Sequence, residues 1–193
     1  MNAYEIALSK LGLQEIVGPI HNEEIVAMFA QVGHSWVKDD ETAWCAAFVG
    51  WALEMAGEKS TRKLNARSYL DWGVEVDPAH AQQGDIIVFP RGNSTWQGHV
   101  GFVSKLLPNG KVEVLSGNQR NMVTLKPYEL DSALGVRRSK VAKPKAVAGA
   151  ASLGVASGGV SAVKALEAYP SLQVAAVVAA LAVIGVIIWK VRK

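Results

Sequence analysis

Between Gly84 and Ser139 the chain breaks into five short apolar-rich runs, and this pattern constrains the fold most. The runs are GDIIVFPR, HVGFVSKLL, KVEVLSGN, MVTLKPY and ALGVRRS, punctuated by Pro, Asn and Gly. Runs of this length bounded by turn formers read as β-strands, and short connections between them require antiparallel pairing. Ahead of them the apolar period is helical. It fits residues 3–11, residues 23–30 with Asn22 as cap, residues 40–56 ending at Gly57, and a shorter stretch over 65–72. In the third helix Phe48, Val49, Ala52, Met55 and Ala56 make a core-facing stripe. Helices first and a strand meander after them predict an α+β domain over residues 1–140, with the helices on one face of an antiparallel sheet.

The rest of the chain has another character. Residues 146–163 are mostly Ala, Gly, Ser and Val without a charge, so residues 141–167 are expected to be a linker or a weak membrane-interacting segment. Gly154 and Gly158 stand at a spacing that would permit close helix packing in a membrane. Residues 168–189 then run about 22 positions without a charge, followed by Lys190, Arg192 and Lys193. Such a run predicts a transmembrane helix with a basic tail over 168–193, and hence a lipid membrane as partner. The N-terminus, MNAYEIALSKLGLQEI, has no basic segment followed by an apolar run, so no secretory signal peptide is expected there. The net charge of +3 is modest and no dense Lys/Arg stripe occurs, which argues against nucleic acid as a partner.

The one cysteine, Cys45, excludes an internal disulfide and a multi-cysteine zinc site. If Asp40 or Thr42 caps the helix, Cys45 falls in its first turn. Free N–H groups and the helix dipole there favour a thiolate, the nucleophilic form. A lone cysteine is otherwise a buried small hydrophobe, so a catalytic reading needs a base. Of the four histidines, His99 stands out because it opens a strand after the loop ending Trp96-Gln97-Gly98. Reading Leu107-Pro108-Asn109-Gly110 as a four-residue turn pairs Leu106 with Lys111. Val103 then meets Val114, Gly101 meets Ser116, and His99 meets Asn118. Paired residues share a face at about 5 Å, so Asn118 could orient the imidazole. A loop one residue shorter would turn Asn118 to the other face. The expected trio is Cys45 as nucleophile, His99 as base and Asn118 as orienter.

Five blocks now stand in order: Trp44-Cys45-Ala46-Ala47-Phe48, then Ala66 to Gly73 (ARSYLDWG), then Gly84 to Phe89 (GDIIVF), then Gly98-His99-Val100-Gly101-Phe102-Val103, then Ser116-Gly117-Asn118-Gln119. Over roughly residues 2–140 the chain resembles the CHAP branch of the NlpC/P60 cysteine hydrolases, in particular a phage and prophage subgroup with WCAAF and GGNQ motifs. The resemblance implies a papain-like fold and cleavage of a peptidoglycan amide bond, as N-acetylmuramoyl-L-alanine amidase or endopeptidase. It implies Cys45, His99 and Asn118 as the catalytic set, with no metal and no cofactor. Many CHAP domains carry Glu two positions before the Asn; this chain has Ser116, so a Glu-dependent role does not transfer.

Trp44 beside the nucleophile, Trp96 ahead of the base and Gln119 in the last block are the expected substrate-binding residues. Trp36 and Trp72 are expected in the core, His34 and His80 on the surface. Asp39 and Asp40 are read as helix caps, and Asp85 as a turn residue bonding its own backbone. Together these features predict a membrane-anchored hydrolase acting on bacterial peptidoglycan in phage lysis or virion entry. The competing expectations are a catalytically inactive wall-binding virion module and a holin-like protein acting through its C-terminal segment.

Overall fold

The structure, a computed structural model, describes residues 1–140. The linker expected at 141–167 and the span expected at 168–193 lie outside the described residues. Among the described residues no helix is long and apolar enough to cross a membrane.

Three α-helices come first: α1 (Ala3–Leu8), α2 (Glu23–Gln31) and α3 (Cys45–Met55). Each of the first two starts where a short polar side chain can satisfy free N–H groups. Asn2 closes a capping box with Glu5 on α1, and Asn22 accepts from Glu24 N–H on α2. α3 starts later than expected, at Cys45, with Trp44 as N-cap and no side-chain cap at all. Ala46 to Gly50, with Ala52 and Leu53, are buried, whereas Met55 is exposed and leaves the expected stripe. The stretch at 65–72 is a 3-10 helix, Ala66–Asp71, capped by Asn65.

Six strands follow: β1 (Val74–Val76), β2 (Ile86–Pro90), β3 (Gly98–Leu107), β4 (Lys111–Ser116), β5 (Thr124–Glu129) and β6 (Gly135–Arg138). The sheet order is β1-β6-β2-β3-β4-β5, antiparallel throughout. The meander holds from β2 to β5. β6 departs from it by crossing to the far edge of β2, where Arg138 clasps Asp85 with two hydrogen bonds of 2.7 and 2.8 Å. Asp85 does accept from Gln82 N–H in its own turn, as expected, but its buried carboxylate also anchors this crossing strand.

Alternation along the strands buries both faces. Ile86, Val88, Val100, Phe102 and Leu115 meet the helices; Ile87, Phe89, Val103, Val112 and Val114 form a second core with Val136. The second core needs no helices because the sheet rolls over it. In a flat sheet β2 and β5 would lie about 14 Å apart, three strand spacings. Yet Phe89 of β2 and Tyr128 of β5 stack with ring centroids 4.6 Å apart. Part of the roll comes from β3, where the pairing shifts between Val103 and Lys105, a bulge that increases local twist.

Candidate active site

Cys45 is the first residue of α3, so its sulfur meets N–H groups that have no partner within the helix. The backbone N–H groups of Ala46, Cys45 itself and Val100 face it. Val100 is the neighbour of His99 on β3, so the strand that carries the imidazole lies directly against the thiol. Burial is the stronger influence, however. It pushes the Cys45 thiol above its usual range, and the N–H groups and the Arg91 charge only partly offset this. The side chain is 5% exposed.

His99 is half-buried at the start of β3, paired across β2 with Phe89. Burial first, then the charges of Arg91 and Lys126, push its imidazole down to about 4. Both groups are therefore neutral at pH 7, the one a thiol and the other an uncharged imidazole. Nε2 of His99 is buried and has no hydrogen-bond partner. The ring stacks on Tyr128, with centroids 5.8 Å apart and planes 20° apart. Burial and, second, charge on Cys45 hold the Tyr128 phenol above its usual range.

The register expected at this end of the hairpin is present, by a different route. Val103 faces Val114 and Phe102 faces Leu115, as read. The turn is one residue shorter, since Leu107 rather than Leu106 pairs with Lys111, and the bulge restores the frame before the site. Asn118 nevertheless does not reach the imidazole. β4 ends at Ser116, Gly117 turns the chain, and Asn118 takes a left-handed conformation with φ 55°. It makes no hydrogen bond to His99. Instead it lines a cleft of about 360 Å³ with Arg91, Ala43, Glu15, Glu41 and Asn121. Ser116, where many CHAP domains carry Glu, is buried and donates to the Val100 carbonyl at 2.6 Å.

The expected substrate-binding residues divide. Trp96 is 66% exposed on the loop before His99, which Arg67 braces through the Ser94 and Gln97 carbonyls. Trp44 is a correction: it is 0% exposed, and its indole donates to Glu15 at 2.6 Å. Adjacency to the nucleophile does not expose it, because the N-cap side chain points back into the core. Gln119 is also a correction. It is buried, its amide donates to the Ser116 and Thr124 carbonyls, and its oxygen accepts from the Tyr128 hydroxyl.

Other expectations shift too. Asp40 caps no helix. Its buried carboxylate accepts from Ile16 and Asn22 N–H and meets His21 Nδ1 at 3.0 Å. Burial alone would raise its pKa, but these partners outweigh it and hold the group below the usual range. Asp39 does cap a turn, accepting from Thr42. Trp36 is 69% exposed rather than core, and packs edge-on against His34. Trp72 packs partly buried against the helical core, and His80 is exposed. Arg91 and Tyr128 are the site residues that sequence reasoning missed. Arg91 follows Pro90 at the end of β2, where nothing local marks it. Tyr128 reads as an ordinary strand aromatic, and only the roll of the sheet reveals its neighbours.

Residues 37–118 match the CHAP domain family, a span that runs from the segment ahead of α3 through β4 and includes Cys45, His99 and Asn118. The match covers less than half of the chain. α1, α2, β5 and β6 lie outside the matched span, so Tyr128 is supplied from beyond it. No curated protein matches the sequence. Among solved structures, an NlpC/P60 family protein from Bacillus cereus is similar at 19% identity and TM-score 0.43, covering 70% of this chain and 39% of that one. The wild-type endolysin LysIME-EF1 is similar at 14% identity and TM-score 0.42, covering 61% and 63%. The P60 domain of an antigen from M. avium paratuberculosis is similar at 14% identity and TM-score 0.41, covering 70% and 92%. The chain thus spans less than two thirds of the length of the first two.

Proposed function

We propose that the chain is a peptidoglycan hydrolase that cleaves an amide bond of the wall peptide with Cys45 as nucleophile and His99 as base. The observation that carries this is a cysteine at the uncapped start of α3, within the span that matches the CHAP domain family, lying against the strand that opens with a half-buried histidine. Because both groups rest neutral, the proton leaves sulfur as the sulfur attacks the carbonyl, and His99 receives it. Collapse of the tetrahedral adduct breaks the C–N bond, and the imidazolium gives its proton to the departing amine. Water then attacks the thioester with His99 again taking a proton, which returns to the Cys45 sulfur as the acyl group leaves. N–H groups at the start of α3 suit the developing oxyanion. The cleft beside Asn118 and Arg91, with Trp96 exposed nearby, is the region offered to substrate.

Membrane attachment through residues 168–193, and a role in phage lysis or virion entry, complete the proposal. They rest on the apolar run and basic tail of the sequence. The burial of Cys45 favours a second reading, an inactive wall-binding module on the same fold. One experiment separates them. The full-length chain in mild detergent is incubated with purified sacculi, and soluble products are identified by mass spectrometry. Hydrolysis that disappears in Cys45→Ala, with unchanged melting behaviour, is the expected result. Sacculus binding without products, or equal activity in Cys45→Ala, refutes the catalytic reading.

A further inference from the structure

The imidazole of a reacting Cys–His pair must be held in one plane, and a polar side chain on its far nitrogen commonly does this. Here no polar side chain is recorded doing so: Nε2 of His99 is buried and unbonded, and Asn118 lines the cleft instead. Ser116, on the strand beside it, is committed to the Val100 and Gly117 carbonyls.

What does meet the ring is Tyr128. We propose that Tyr128, fixed by Gln119 and Phe89, is the positioning residue for the His99 imidazole and sets its plane by stacking. The proposal rests on the reading of Cys45 and His99 as the reacting pair. Tyr128 is itself held on two sides. Phe89 stacks on it at 4.6 Å with planes 21° apart, and its hydroxyl donates to Gln119 at 2.8 Å. Gln119 cannot drift, because its amide is spent on the Thr124 carbonyl at 2.6 Å and the Ser116 carbonyl at 3.2 Å. Phe89, His99 and Tyr128 thus form a three-ring group, braced from the segment that follows β4. Aromatic contacts in this arrangement contribute beyond the area they bury. The charged groups that act on His99 are Arg91, from the end of β2, and Lys126, from β5, and Tyr128 is the titratable group stacked on its ring.

The test compares full-length wild type with Tyr128→Leu, Tyr128→Phe and Gln119→Leu. NMR titration of the labelled His99 imidazole needs no turnover. Steady-state kinetics on soluble wall fragments supplies kcat and KM. In Tyr128→Leu the imidazole should titrate closer to its ordinary value, because water reaches the uncovered ring face. Its kcat should fall about tenfold or more with KM within about twofold, as for a misplaced reacting group. Tyr128→Phe keeps the ring but loses the bond to Gln119, and should restore both most of the way, to the level of Gln119→Leu. Should Tyr128→Leu not fold, Gln119→Leu, which frees the ring without removing it, should show the same two changes in smaller degree. Unchanged titration and kcat in the folded variants overturn the proposal, as does a loss of kcat that merely tracks the unfolded fraction. A wild-type chain that hydrolyses nothing, yet whose His99 titration moves with Tyr128→Leu, sinks the hydrolase reading and leaves the stacking contact standing.

Discussion

Acid should weaken this fold through His99 before it touches the carboxylates. The imidazole is ordinary in the unfolded chain, near 6.5, and is pushed down to about 4 in the folded one. The unfolded state therefore binds the proton first. His99 costs nothing above about pH 6.5, and stability falls as the pH drops from there toward 4. The gap corresponds to roughly 3 kcal/mol, taken at about 1.4 kcal/mol for each tenfold change in proton affinity. That is a large fraction of the stability of an ordinary domain. Asp39, Asp40 and Glu54 are held below their usual ranges, so their stabilisation is lost only at lower pH. Glu15 is raised, chiefly by burial, and acts in the opposite sense. The assay is urea unfolding of the full-length chain, followed by tryptophan fluorescence, at intervals from pH 7.5 to 4.5. His99→Leu is the control, since it keeps an apolar side chain against Tyr128 and removes the titration. Wild type should lose about 2–3 kcal/mol more than the control across this window. Parallel curves for the two proteins would refute the reasoning and show that His99 takes its proton in place.

Two further outcomes follow from the packing. A Cβ at Gly117 would lie 2.3 Å from the Trp44 ring, which is buried and cannot retreat. Gly117→Ala should destabilise by about 1–3 kcal/mol in chemical denaturation, and an unchanged midpoint would mean the indole is not seated there. Asp40→Ala strands two backbone N–H groups and His21, so a loss of about 2–4 kcal/mol is expected; a loss under half of that would show that water replaces the carboxylate.

Elements whose causes are local were legible in the sequence. Asn22 announces α2, and β2 to β5 emerge where alternation and turn residues put them. The cysteine at a helix start and the histidine at a strand start were legible for the same reason. Failures came where the partner is distant in the chain. The acid pair before α3 looks like a cap, but Asp40 is engaged by Ile16, His21 and Asn22. Trp44 looks available because its neighbour must be, yet its environment is made by Glu15 and Gly117. Asn118 has the right register and the wrong backbone, since one left-handed residue after Gly117 removes it from the strand face. Tyr128 could not be found by periodicity, because its contacts exist only once the sheet has rolled.

The bulge at Ser104 has a consequence for how this hairpin can vary. It absorbs one position between the turn and the site, so the two ends of the β3–β4 pair keep separate frames. At the site end the frame is held by Gly101, where any Cβ would strike the Leu115 carbonyl, Val114 and Ser116. At the turn end the hold is lighter: a Cβ at Gly110 would meet open space, and the Gly110 carbonyl accepts from Leu130 N–H at 2.8 Å. The tip is therefore the end where a change of length meets less resistance, while the tethered end keeps the start of β3 against the Cys45 sulfur. Loop length in this hairpin carries no information about the chemistry, and the glycine two places after the histidine carries a good deal.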